Sequence, residues 1–146
     1  MAYEFKLTRR VEFAETDMAG IVHYSNFFRY AEAAESAFFR SLGLSLRPPR
    51  AAHEVGWPRV HVECDYSQPL RFEDEIEIHL LVTEKKARAI TYQFRIRKLN
   101  PQPAVEVARG KVTAVCVTQD GHGQMQATPI PAAIADKIEV APKALL

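Results

Sequence analysis

The residues best suited to chemistry lie in one short segment, residues 13–28, which reads FAETDMAGIVHYSNFF. Within it, Asp17 has a carboxylate, His23 an imidazole, Tyr24 a phenol and Asn26 an amide. Gly20 and Ser25 lie among them. The segment precedes a helical pattern, and the first turn of a helix has unpaired N–H groups with partial positive charge. Such groups can hold a carbonyl oxygen that becomes negative in a transition state. Asp17 could then attack that carbonyl or activate a water molecule.

Each of these side chains also has a structural interpretation. An aspartate such as Asp17 suits a turn or the entry to a helix. His23 suits an ordinary polar contact, and the ring of Tyr24 can simply pack, so the backbone N–H of Tyr24 is its stronger feature. Asn26 can cap the helix, which contributes about 1 kcal/mol. The residues alone therefore leave catalysis and local structure as open alternatives.

One long helix is predicted directly after this segment. Between Phe27 and Leu42 apolar residues recur at intervals of three and four, with charged residues on the other side. Either Ser25 or Asn26 is expected to cap the start, and Gly43 to adopt the left-handed conformation beyond the end. The helix glutamates, Glu32 and Glu35, have arginines nearby and are predicted to form a solvated face.

Strands are predicted for most of the remaining chain. A first strand is indicated by alternation from Phe5 to Phe13, and period two returns in four runs at residues 60–66, 76–82, 90–96 and 104–117. Short polar joints predict that consecutive strands are antiparallel neighbours, and Gly110 predicts a bulge or a bend. Residues 44–58 are predicted to form a loop. The sequence DGHG after residue 119 predicts a turn, and Pro131 predicts a short closing helix.

This pattern predicts an α+β fold in a single domain of residues 1–146, with a core of about residues 3–118 and a C-terminal tail of residues 119–146. Of the 146 residues 47% are hydrophobic and 25% charged, which is typical of a folded domain. A formal charge of +1 gives no field that would attract nucleic acid or an anionic membrane.

Compartment and metal content are also predicted. The sequence has no secretory signal pattern and no apolar run long enough to cross a bilayer. Cys64 and Cys116 lie in alternating apolar runs, so we expect reduced, unpaired thiols and a cytoplasmic protein. The histidines show no metal-ligand spacing with the cysteines or with one another, and no metal is expected.

The run D-x-x-G-I-V-x-Y-x-N-F, followed by RYAEAAESAFFRSLG, resembles the 4-hydroxybenzoyl-CoA thioesterase family of hotdog-fold acyl-CoA thioesterases. The later segments VECDYSQPLRFEDEIEI and VARGKVTAVCV extend this resemblance from about Tyr3 to about Ile134. The motif is specific, because several fixed positions occur in the correct strand, loop and helix context. The resemblance implies an antiparallel sheet of about five strands wrapped around one long central helix.

The same resemblance implies roles for the loop residues. Asp17 matches the catalytic carboxylate, as nucleophile or general base, and the N–H that polarises the thioester carbonyl falls near Tyr24. Gly20 matches the glycine that lets the loop turn close to the ligand, and Asn26 the asparagine at the helix start. His23 is at a variable position, which leaves a catalytic role for it open.

CoA phosphates require local cations, and the resemblance makes Lys86, Arg88 and Arg109 candidates for binding them. The sequence alone equally predicts a solvated hairpin for the first two and an edge-strand charge for Arg109. CoA is part of the substrate, so no separate cofactor is expected.

The predicted activity is hydrolysis of an acyl- or aroyl-CoA to the free acid and CoA, with the acyl group left open. Two alternatives remain: a hotdog hydratase or dehydratase, which needs a paired acid and base, and a non-catalytic CoA-thioester binding module. A sheet of five strands leaves an exposed edge, so a homodimer or homotetramer is expected. Each active site would combine the Asp17 loop of one subunit with strand residues of its neighbour.

Overall fold

The computed structural model describes residues 1–47 and 55–146, so residues 48–54 of the predicted loop lie outside the described residues. Five antiparallel strands form the main sheet in the spatial order β1-β3-β4-β5-β2. They are β1 (Glu4–Arg10), β2 (Arg59–Tyr66), β3 (Glu75–Lys85), β4 (Ala89–Lys98) and β5 (Val105–Val115). One long helix, α1 (Asn26–Ser41), contacts β1 and β3. The predicted α+β architecture, a five-stranded sheet and one long helix, is confirmed.

The helix α1 buries the face that its period of three and four predicts. Side chains of this face lie in the hydrophobic core, among them Phe27, Tyr30, Ala31, Ala34 and Phe38. Just past its end Gly43 has a φ of 75°, the left-handed conformation expected of it. The local sequence therefore predicts both the buried face of the helix and its C-terminal end.

Two predictions about the strands are wrong. The first strand ends at Arg10, because residues 13–15 form a short 3-10 turn in which Phe13 is 74% exposed. In addition β2 and β3 are not neighbours, since β1 pairs with β3 and β2 pairs with β5. The connection between β2 and β3 is no tight reversal: Leu70 within it is fully buried, and its carbonyl accepts the Val22 N–H at 2.7 Å.

The sequence predicts a bulge or a bend at Gly110, and the bulge is wrong. Gly110 pairs in continuous register with Phe94 on one side and Cys64 on the other. A Cβ atom at this position would lie less than 3.0 Å from the carbonyl oxygen of Glu63 and from the ring of Phe94. Glycine is therefore required here because a ring and a neighbouring backbone approach closely.

The C-terminal segment packs onto the same core. Its hairpin consists of β6 (Val117–Gln119) and β7 (Met125–Ala127), joined through the predicted turn. The short helix α2 (Ala132–Ala135) follows Pro131 as predicted. Three isoleucines beyond residue 118 belong to the hydrophobic core cluster: Ile130, Ile134 and Ile138. The core therefore continues into the segment that the sequence indicates as a tail.

The cysteines and the lengths of the helices bear on the sequence predictions of redox state and membrane spans. Cys64 and Cys116 are both unpaired, and burial raises the pKa of each thiol. In residues 1–47 and 55–146, the helices are too short or too polar to cross a membrane.

Candidate active site

The segment between β1 and α1 folds back on itself as a small hairpin. The Asp17 N–H donates to the Ile21 carbonyl at 2.8 Å, and the His23 N–H donates to the Glu15 carbonyl at 3.0 Å. Gly20 has a φ of 81°, a conformation that glycine adopts without a steric penalty, and its N–H donates to the Asp17 carbonyl. The hairpin thus fixes Asp17 on one arm and directs the other arm toward the start of α1.

The carboxylate of Asp17 is half-buried and has no ion-pair partner among the described residues. One oxygen, Oδ1, accepts the Ala19 N–H at 2.8 Å, which is the hydrogen bond of an Asx turn. The other oxygen makes no hydrogen bond within the described part of the chain. A carboxylate held at one oxygen and open at the other can act as a nucleophile or as a general base.

The backbone at Tyr24 offers an unpaired hydrogen-bond donor. Its N–H has no acceptor in residues 1–47 and 55–146, while its carbonyl accepts the Tyr66 hydroxyl at 3.0 Å. Burial, followed by the neighbouring Cys64, raises the pKa of Tyr66 to about 12, so this hydroxyl keeps its proton and remains a donor at neutral pH. Tyr24 lies just before α1, where the helix dipole favours negative charge. Its unpaired N–H can therefore donate to an oxygen that becomes negative.

The predicted cap at the start of α1 is wrong for both candidate residues. Ser25 stands at the N-cap position, but its side chain makes no capping hydrogen bond, and its Oγ instead lies 2.7 Å from Nδ1 of His23. Asn26 is inside the helix, where its Nδ2 donates to the Glu15 carbonyl at 2.8 Å. The amide thus ties the helix start to the Asp17 hairpin, and a substrate contact for Asn26 stays a prediction.

His23 is exposed, and its ring stacks on the ring of Tyr24 with centroids 4.5 Å apart. No hydrogen bond links His23 to Asp17 within the described residues. The structure therefore brings His23 beside the candidate site without pairing it to the carboxylate, and a role in proton transfer stays a prediction.

The prediction that Glu35 lies on a solvated face of α1 is wrong. Only 3% of Glu35 is exposed, whereas Glu32 lies at the surface. The two carboxylate oxygens of Glu35 accept hydrogen bonds from the Arg59 guanidinium at 2.5 and 2.8 Å. Burial raises the pKa of Glu35, against the lowering effect of Arg59. The sequence gives no sign of this pair, because its members are 24 residues apart and lie on different elements.

A cavity of about 130 Å³ lies beside this ion pair, between α1 and the sheet. Its polar lining includes Glu35, Arg59 and the hydroxyl-bearing Tyr92, and its apolar lining includes Phe28 and Leu80. Phe28 lies in the first turn of α1, so the cavity begins close to the Asp17 hairpin. None of the three polar residues was singled out from the sequence as a substrate contact.

The predicted phosphate-binding cations are dispersed over the surface. Lys86 and Arg88 are exposed at the turn between β3 and β4, and Lys86 forms an ion pair with Glu84 at 3.2 Å. Arg109, on β5, forms an ion pair with Glu106 at 2.8 Å. No contact among the described residues joins these cations to the Asp17 hairpin, and their phosphate roles stay predictions. The described residues also contain no group of three or more His, Cys, Asp and Glu side chains that could hold a metal ion.

Comparison with known proteins shows the family of this chain. The family model of the thioesterase-like superfamily matches residues 11–138. The chain belongs to the thioesterase-like superfamily. One relative, from Aquifex aeolicus (strain VF5), is 35% identical over 119 residues, 80% of this chain and 87% of that protein. A second, the 1,4-dihydroxy-2-naphthoyl-CoA hydrolase of Synechococcus elongatus, is 27% identical over 138 residues, 94% of this chain and 96% of that protein.

Solved structures of thioesterases have the same fold as this superfamily member. The 1,4-dihydroxy-2-naphthoyl-CoA thioesterase from Synechocystis matches with a TM-score of 0.78 and 26% identity, covering 91% of this chain and 96% of that one. The 4-hydroxybenzoyl-CoA thioesterase from Pseudomonas sp. strain CBS-3 matches with a TM-score of 0.80 and 24% identity, covering 93% and 99%. The predicted hotdog fold and the resemblance to hotdog-fold thioesterases are confirmed.

Proposed function

We propose that this protein hydrolyses the thioester bond of an aroyl- or acyl-CoA and releases the free acid and CoA. The observation that carries the proposal is a carboxylate without a cation partner, Asp17, in a hairpin whose other arm leads into a helix start where the Tyr24 N–H is unpaired. Membership of the thioesterase-like superfamily supports it, as do the names of two relatives, which are hydrolases or thioesterases of 1,4-dihydroxy-2-naphthoyl-CoA.

The proposed chemistry begins with the thioester carbonyl oxygen accepting the Tyr24 N–H. As Asp17 attacks the carbonyl carbon, negative charge develops on that oxygen, where the N–H and the helix dipole stabilise it. The carbon–sulfur bond breaks, CoA leaves as the thiolate and takes a proton from water, and a mixed anhydride with Asp17 remains. Water then hydrolyses the anhydride. In the alternative route Asp17 removes a proton from a water molecule that attacks the same carbon.

Product analysis in water enriched with ¹⁸O tests hydrolysis against the hydratase alternative. Hydrolysis of crotonyl-CoA or an aroyl-CoA yields free CoA and an acid whose carboxylate contains oxygen from the solvent. Hydration instead yields an intact thioester with one added water, because water adds to the carbon chain. Mass spectra that contain only the hydrated thioester would overturn the proposal. A protein that binds CoA thioesters and leaves them intact would support the binding-module alternative.

Reversal of the charges at Lys86 and Arg88 tests the proposed phosphate contacts. For the double variant Lys86→Glu and Arg88→Glu we expect KM to rise at least about fivefold with little change in kcat, because phosphate contacts stabilise ground and transition states alike. Initial rates over a range of substrate concentrations measure this. The matched control, Lys6→Glu with Lys143→Glu, changes the net charge equally at two other exposed lysines. Equal KM values in the two double variants would place the phosphates elsewhere.

We also propose that the protein is a homodimer that pairs through β2, or a homotetramer of two such pairs. The strand β2 lies at one edge of the sheet, and three of its apolar side chains are exposed: Val60, Val62 and Tyr66. Monomeric proteins rarely leave such a strand edge uncovered. Since Tyr66 also contacts the Tyr24 carbonyl, a partner on this edge would lie next to the candidate active site.

Light scattering measures the assembly directly. We expect a mass of at least twice the 16.5 kDa of one chain, and partial or complete dissociation in Val60→Lys, because a buried unpaired charge is costly at an apolar interface. The control, Val105→Lys, introduces the same charge at an exposed valine of another strand and should not dissociate. A stable, fully active wild-type monomer would contradict the proposed assembly.

A further inference from the structure

Glu15, two residues before Asp17, is held by hydrogen bonds from several directions. One of its carboxylate oxygens accepts a hydrogen bond from the Arg9 guanidinium on β1 at 2.6 Å. The other oxygen accepts from the Tyr30 hydroxyl on α1 at 3.0 Å and from the Glu12 N–H at 2.8 Å. Only 15% of the Glu15 side chain is exposed, so water competes little for these bonds. The carboxylate therefore links β1 to α1 through the turn that contains Glu15.

The two side chains that donate to Glu15 also contact each other. The Arg9 guanidinium lies 4.9 Å from the centre of the Tyr30 ring, which is a cation–π contact. Tyr30 is fully buried, and burial, followed by the negative charge of Glu15, raises the pKa of its hydroxyl above the ordinary value. The hydroxyl therefore keeps its proton and donates. Arg9, Glu15 and Tyr30 thus form a closed cluster in which each member contacts the other two.

The backbone of Glu15 joins both arms of the Asp17 hairpin to α1. Its carbonyl accepts the His23 N–H at 3.0 Å and a hydrogen bond from Nδ2 of Asn26 at 2.8 Å. Asp17 follows this carbonyl by two residues on one arm, and Tyr24 directly follows His23 on the other. The contacts of Glu15 therefore fix where the Asp17 carboxylate lies relative to the unpaired N–H of Tyr24.

We propose that Glu15 is a positioning residue, which holds the Asp17 carboxylate and the Tyr24 N–H at the separation that attack on a thioester carbonyl requires. The inference rests on the proposed function, because it takes Asp17 as the nucleophile or general base. Both groups must reach the same carbonyl, and a displacement of about 1 Å can lower the rate of such a step about a hundredfold. In this role Glu15 takes no part in bond cleavage and acts only through the hairpin.

Steady-state kinetics of Glu15→Gln test this role. Glutamine has nearly the same size as glutamate and retains one oxygen acceptor, but it lacks the charge that strengthens the bond to Arg9. With the CoA thioester that the wild type hydrolyses fastest, we expect kcat to fall at least about tenfold and KM to change less than about twofold. The split arises because the placement of Asp17 matters to the transition state and not to binding of the ground state.

The matched control is Glu75→Gln. Glu75 also accepts from an arginine of β1, Arg10, at 2.9 Å, and from Asn100 at 2.8 Å, but it lies in β3 and outside the hairpin. Its kcat should stay within about twofold of the wild-type value. An independent variant, Tyr30→Phe, removes one donor to Glu15 and keeps the buried ring, and we expect its kcat to fall about threefold with KM retained. Wild-type kcat in both Glu15→Gln and Tyr30→Phe would overturn the inference, and so would an equal fall in the control.

Amide hydrogen exchange tests the same inference without substrate. The N–H groups of Asp17 and His23 donate across the hairpin, to the carbonyls of Ile21 and Glu15, so their exchange measures how often the hairpin opens. In Glu15→Gln we expect both amides to exchange at least about tenfold faster, while amides of β4, in the centre of the sheet, keep their wild-type rates. Unchanged exchange at both amides would overturn the inference. Equal acceleration in the hairpin and in β4 would show a loss of global stability and would overturn it too.

Failure of the proposed function has a different signature. Absence of thiol release by the wild-type protein from any CoA thioester would overturn the proposed function, and with it the catalytic consequence of the Glu15 contacts. Local acceleration of exchange in Glu15→Gln would then still show that Glu15 holds the hairpin in place. Thiol release by the wild type, together with wild-type kcat and exchange in Glu15→Gln, would instead retain the hydrolase and exclude Glu15 as a positioning residue.

Discussion

Replacement of Asp17 by Asn is expected to lower kcat at least about a hundredfold in a protein that stays folded. The amide is a poor nucleophile and a poor base, which removes the chemistry proposed for the carboxylate. The fold should persist because the Asn side chain retains the oxygen that accepts the Ala19 N–H. Thiol release at saturating aroyl-CoA measures the change, and thermal unfolding verifies the fold.

The control for this variant is Asp136→Asn, at an exposed aspartate next to α2. It removes one negative charge outside the Asp17 hairpin and should retain wild-type turnover. If the folded Asp17→Asn variant hydrolysed aroyl-CoA at a rate near that of the control, Asp17 would be neither nucleophile nor base.

Gly110→Ala is expected to lower the free energy of unfolding by about 3 kcal/mol, the upper part of the range for overpacked sites. The added Cβ would meet the Glu63 carbonyl and the Phe94 ring at less than 3.0 Å. The carbonyl belongs to β2, so it cannot yield without disturbing the pairing of β2 with β5.

Urea unfolding measures this destabilisation, with Gly121→Ala as the control. A Cβ atom at Gly121 would have nothing within 4 Å, so its variant should differ from the wild type by no more than about 0.5 kcal/mol. Equal stability of the two variants would contradict the close packing of β2, β4 and β5 around residue 110.

Features that depend on neighbouring residues in the sequence were predictable. The period of α1, the left-handed Gly43 and the turn after residue 119 each follow from a few consecutive side chains. Features set by distant pairing were not. The order β1-β3-β4-β5-β2 places the first strand beside the third, and nothing within either strand specifies this neighbour. The need for glycine at position 110 has the same origin, because the ring that excludes a side chain comes from β4 and the carbonyl that does so comes from β2.

In the candidate site, too, the local motif was predictable and the contacts between distant residues were not. The motif around Asp17 predicts which residue types carry out the chemistry, and their roles stay predictions. The contact that ties the helix to the hairpin, from Asn26 to the Glu15 carbonyl, was missed because a backbone acceptor has no signature in the sequence. The charged neighbours of Glu35 on the helix predict that it faces solvent, whereas its partner, Arg59, comes from β2.

The most direct test of the proposed activity is free-thiol release by the purified wild-type protein from a panel of CoA thioesters. The panel pairs aroyl-CoAs, with and without ring hydroxyl groups, with aliphatic acyl-CoAs of several lengths. We expect release of one CoA per thioester consumed from at least one member of the panel. Absence of thiol release from every member of the panel, by a protein whose fold is verified, would contradict the assignment as a CoA thioesterase.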